Sequence, residues 1–158
     1  MDNSKILQAG LLAAALAFPG VTAAAYSPFA ALAGNWSGGG VLQSADGTQE
    51  RLRCRAGYDV GGVELRLTLR CASASYNFDL TSDVQYRGGA ITGSWREASR
   101  NAAGTLSGRA GNGRIEAAAT GQNFSAELSL TTRGNRQFVS LRPQGTDITL
   151  VSLELDRR

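Results

Sequence analysis

Arginine carries most of the chemistry that this chain's residue pattern offers. Arg51, Arg53 and Arg55 share one parity of an alternating run, and Arg66 and Arg70 fall on the same face if the next run folds back as a hairpin. Five guanidinium groups on two paired strands would attract phosphates, carboxylates or an acidic polysaccharide, because arginine forks match such anions in a bidentate way. Glu50, Asp59 and Glu64 lie close enough to neutralise part of that charge. The same pattern also describes a solvated face laced with cross-strand ion pairs.

Histidine is absent, and every basic residue after Lys5 is arginine. Histidine general bases, histidine triads and histidine metal ligands are therefore excluded. Catalysis would fall to carboxylates, tyrosine, serine or arginine. Glu97 follows Trp95, Asp79 and Asp83 lie either side of Leu80, and Glu50 precedes the arginine run. Glycosidase chemistry needs two carboxylates brought together, and nothing in these spacings makes a pair converge. The sequence assigns no catalytic residue, no metal site and no cofactor.

Cys54 and Cys71 are the only cysteines. Zinc wants four ligands, which this chain does not gather around two cysteines without histidine. Redox pairs usually occupy a Cys-x-x-Cys, far tighter than this separation. One disulfide is the remaining reading, and it requires an oxidising compartment.

The amino-terminal residues supply that compartment. A short polar start with Lys5, an apolar run from Ile6 to Val21 and small residues ending in Ala23-Ala24-Ala25 have the layout of a secretory signal peptide, cut before Tyr26. Export to the periplasm or medium leaves 26–158 as one domain with no membrane span, since Gln8, Gly10, Pro19 and Gly20 weaken the apolar run as an anchor. The net charge of +3 is too small to indicate nucleic-acid binding.

Strands must position all of these groups. Val63, Leu65, Leu67, Leu69 and Cys71 alternate with Glu64, Arg66, Thr68 and Arg70, which is the period of a half-buried strand. Leu52, Cys54, Ala56 and Tyr58 behave alike, and Gly61-Gly62 is expected to join the two runs. That turn would set Cys54 opposite Leu69 with Cys71 on the diagonal, so a bulge or one-pair shift near Ala56-Gly57 is expected to bring the sulfurs together. Further runs are Asn35–Ser44, Tyr76–Leu80 with an extension to Tyr86, Ala90–Glu97, Thr105–Ala110, Ile115–Ala119, Phe124–Thr131, Gln137–Leu141 and Ile148–Leu155. Roughly eight to ten short strands without a helical period point to an all-β, antiparallel up-and-down barrel, with a two-sheet sandwich as the alternative. Arginine, glutamate and serine on the outward parity argue against a lipid-facing barrel.

Gly34-Asn35-Trp36 at the first strand resembles the opening of lipocalin and avidin barrels, and Ile91-Thr92-Gly93-Ser94-Trp95 is similar to avidin-type phrasing. In those families the first tryptophan plugs one end of the barrel and ligands enter at the other. The resemblance thus implies a closed barrel with Trp36 at its shut end; the avidins' further biotin-binding tryptophans have no counterparts here. Two functional readings follow. One is a small exported module binding a small apolar or anionic ligand, with Trp36, Tyr58, Tyr76, Trp95 and the five arginines as candidate contacts. The other is an envelope accessory or inhibitor protein that meets an unknown protein partner through the loop Ala98 to Ala103 and the arginine face.

Overall fold

The computed structural model describes residues 19–20 and 26–158. The leader read over 1–25 lies outside the described residues apart from 19 and 20. Ten strands follow one another: β1 (Gly34–Ser44), β2 (Gln49–Gly61), β3 (Glu64–Ala72), β4 (Asn77–Arg87), β5 (Ala90–Glu97), β6 (Ala102–Gly111), β7 (Arg114–Gly121), β8 (Phe124–Arg133), β9 (Arg136–Gln144) and β10 (Ile148–Arg157). Each pairs antiparallel with its chain neighbours, and β1 closes the ring on β10 from Trp36↔Arg157 to Ser44↔Ile148. The result is an up-and-down closed barrel, not the sandwich. Closure leaves no unpaired edge to template association.

Alternation in the sequence becomes inside and outside. Leu52, Cys54, Ala56 and Tyr58 are buried while Arg51, Arg53, Arg55 and Asp59 are exposed. Small residues on the inward parity let the wall bend. At Gly40 of β1 and Gly104 of β6 a Cβ would collide with the carbonyl oxygens of Ser152 and Thr120 on the neighbouring strands, so only glycine permits those close approaches. Tight turns at Gly88-Gly89 and Asn112-Gly113 take the positive φ that two-residue hairpins need.

Cys54 and Cys71 form the disulfide, with Cα atoms 4.1 Å apart as a directly opposed pair. The route differs from the expected one. Pairing is continuous from Arg53↔Ala72 to Gly61↔Glu64, with no bulge at Ala56-Gly57. The shift sits in the turn, which is Gly62-Val63 and not Gly61-Gly62. Gly62 supplies φ +62°, the left-handed first loop position that this turn demands, while Gly61 stays in the ladder. The stretch Ala98 to Ala103 is likewise shorter as a loop than expected, because Ala102 and Ala103 pair with Glu97 and Arg96.

Candidate functional site

One end of the barrel is shut. A single 3₁₀ turn, Ala30–Leu32, lies across it and buries Phe29 and Leu32 beside Trp36. The Trp36 indole N–H donates to the Leu32 carbonyl at 2.7 Å. Arg157 stacks its guanidinium 4.3 Å from the centre of the Trp36 ring, donates to the Ala31 carbonyl at 2.7 Å and donates to the Ala33 carbonyl as well. One side chain thereby ties the last strand, the first tryptophan and the plug together.

Tyr58 completes this end. Its hydroxyl donates to Gln137 Oε1 at 2.6 Å, and Gln137 Nε2 donates to Thr132 Oγ1 at 3.3 Å. Burial pushes the Tyr58 phenol well above its ordinary value, against a smaller opposing pull from Gln137. No buried side-chain polar atom among the described residues lacks a hydrogen-bond partner. Trp36 and Tyr58 are therefore sealed into the base of the barrel, with no free polar group there to meet a ligand.

The other end, ringed by the turns at 45–48, 73–76, 98–101, 122–123 and 145–147, is built differently. Leu67, Leu69, Phe78, Leu106, Leu128 and Leu141 occupy inward positions yet stay only half-buried. These side chains pack against the core yet keep some contact with water. Gly93, Ala119 and Gly121, also inward, add little side-chain volume to the same lining. Trp95 lies farther round, buried, with its indole N–H donating to the Thr105 carbonyl at 3.1 Å and its ring edge-on to Phe124 at 5.4 Å. The inward lining here is thus leucine and aromatic side chains.

Aromatic and ionic contacts organise the mouth. Tyr76 stacks parallel on Phe78 at 6.2 Å, and Arg100 sits 4.8 Å over the Phe78 ring. The Tyr76 hydroxyl donates to Asp147 at 2.6 Å, linking the β3–β4 and β9–β10 turns across the rim. That bond to Asp147 raises the Tyr76 phenol. Glu97, buried at the rim, accepts the backbone N–H groups of Asp79 (2.8 Å), Ser99 (3.2 Å) and Arg100 (2.9 Å). Burial works against its charge, but these donors outweigh it and hold the carboxyl below its usual range. Glu97 therefore shapes the turn that carries Arg100.

The remaining carboxylates do not converge. Asp83 points outward to Arg66 at 2.8 Å, Asp79 lies outward near Arg70, and Glu50 accepts from Ser73 and Ser75. Among the described residues no group of three or more acidic or cysteine side chains is placed to hold a metal ion.

All five candidate arginines are exposed on the outer wall. Arg66 is matched by Asp83, whereas Arg51, Arg53 and Arg55 have no carboxylate within ion-pair distance among the described residues. Sequence reasoning missed Arg157 and Gln137, and weighed Glu97 only as a candidate acid or base. Each lies on the inward parity at a strand end, which is the signal that marks them.

No family model matches the chain, and no curated protein matches it. Among solved structures the chain is similar to Rv2717c from M. tuberculosis, with a TM-score of 0.67 and 15% identity over 82% of this chain and 94% of that one. It is also similar to the S-type phycobiliprotein lyase CPES from Guillardia theta, with a TM-score of 0.57 and 11% identity over 82% of this chain and 89% of that one. The fold is a lipocalin-like β-barrel. At these identities the likeness is one of fold alone.

Proposed function

We propose that the protein is an exported, non-enzymatic binding module that takes a small apolar or amphipathic molecule into its barrel through the end opposite Trp36. The observation that carries this reading is the ring of inward leucines, with Phe78, left half-exposed in an otherwise closed wall. Sites of this kind bury most of a ligand against apolar side chains and orient it with a few polar groups. Tyr76, Arg100 and Asp147 at the rim are those polar groups, and Trp95 forms part of the wall. The Cys54–Cys71 disulfide supports an oxidising compartment, periplasmic or extracellular. A lipocalin-like barrel suits such a role, although fold similarity by itself assigns no ligand.

The test uses protein expressed from the full coding sequence and titrated with N-phenyl-1-naphthylamine, a neutral apolar fluorophore. Saturable one-to-one binding with energy transfer from tryptophan is the expected result. Absence of saturable binding, or equal binding by protein denatured in guanidinium, refutes the reading.

A further inference from the structure

We infer that the outer wall of β1 to β4 is a binding groove for an acidic polysaccharide, gripped by Arg53, Arg55, Arg70 and Arg158. The register aligns Ser37, Arg55, Arg70 and Asp79 in one row across the four strands, and Gly39, Arg53, Ala72 and Asn77 in the next. Arg158 closes the row at its β1 end by donating to the Ser37 hydroxyl. Gly39 and Ala72 flank Arg53 with almost no side chain, so the arginines stand as walls around a recess of about 580 Å³.

Charge in this recess is only partly compensated. Asp79 is the one carboxylate lining it, and it lies 3.5 Å from Arg70. Arg55 faces Arg70 directly across the β2–β3 ladder, an arrangement that costs stability because like charges sit on opposed residues. On the outer wall Arg66 pairs with Asp83, Arg114 with Glu116, and Arg136 with Glu154 and Asp156, whereas Arg53 and Arg55 have no carboxylate within ion-pair distance among the described residues. Four arginines gathered around one recess with a single carboxylate among them suit an anion.

The lining selects the kind of anion. Guanidinium forks match carboxylate and sulfate groups, and Ser37, Asn77 and Ser99 place hydroxyl and amide groups between them for sugar hydroxyls. Nucleic acid is disfavoured because single strands are held by stacking on aromatic rings, and the one ring in the lining, Phe78, faces inward against Tyr76. A bilayer is disfavoured because the recess offers no outward leucine or aromatic side chain to insert.

The experiment compares wild-type protein with R53Q/R55Q, using a heparin dodecasaccharide and polygalacturonate as probes, dextran as the neutral control and phosphatidylglycerol vesicles as the competing surface. Expected are salt-sensitive binding to both acidic glycans, an affinity loss of about tenfold or more in R53Q/R55Q, and no loss in R66Q, whose arginine is already paired. In the absence of probe, R55Q alone is expected to raise Tm by relieving the Arg55–Arg70 repulsion. Hydrogen exchange on the wild-type protein, which needs no variant to fold, is expected to show probe-dependent protection confined to β1 to β4. Equal losses in R66Q and R53Q/R55Q, tighter binding to the vesicles, binding unchanged in R53Q/R55Q, or no protection on those strands would each overturn the inference.

Discussion

Removing the Arg157 side chain tests how the shut end is held. In R157A the indole of Trp36 loses its stacked cation, worth about 0.5–1 kcal/mol at a partly exposed site. The Ala31 and Ala33 carbonyls lose charged donors, each contributing about 1 kcal/mol once discounted for solvent. Together these amount to roughly 2–3 kcal/mol, or a Tm decrease of about 6–12 °C for a domain of this size. The geometry behind the figure is the 4.3 Å stack and the paired bonds to the plug. Calorimetry reads the Tm, and hydrogen exchange reads the Leu32 and Ala33 amides, which bond within the plug to Phe29 and Ala30. Those amides should lose protection before the strands do. R157K keeps the charge but lacks the fork, and is expected to fall between the two. A Tm for R157A within about 2 °C of wild type, with plug amides still protected, would refute the account of this end.

Other outcomes follow from the same geometry. Reduction of Cys54–Cys71, or the C54A/C71A pair, should cost roughly 3 kcal/mol, because the bond closes a short loop in the unfolded chain; its residues are 17 apart, and equal Tm values with and without reductant would contradict this. Acid should destabilise the barrel through Glu97: its folded-state value is depressed, so its contribution is complete above the unfolded value of 4.5 and disappears as pH falls through the lower folded one. E97Q should lower stability at neutral pH by about 1–2 kcal/mol and flatten the acid limb; an unchanged limb would count against the three amide bonds.

Alternation made most of the wall legible. Leu65, Leu67, Leu69 and Cys71 point inward as their parity requires, and glycine and asparagine mark the turns because those positions take positive φ. Turn chemistry alone left the β2–β3 register open, since Gly61-Gly62 and Gly62-Val63 both put glycine first; the opposed cysteines decide it. Arg157 was hidden because the last strand, read as ending near Leu155, continues two residues further, and that places an arginine on the inward parity beside Trp36. Inward parity at a strand end marks Glu97 but does not reveal its grip on three backbone amides. It depends on the β5–β6 turn meeting the start of β4. The division of the arginine face into a balanced Arg66 and an unbalanced recess likewise needed register, since Asp83 and Asp79 come from the strand beyond.

Enlarging side chains inside the barrel is the most direct test of the central claim. L106F and L128F each add volume where the inward wall is only half-buried, and both leave the rim and the shut end untouched. The account predicts that the double variant loses binding of N-phenyl-1-naphthylamine while its Tm holds or rises, because the new rings occupy empty apolar space and not packed core. Undiminished binding, or a Tm decrease of about 5 °C or more from overpacking, would mean that the barrel interior is already full.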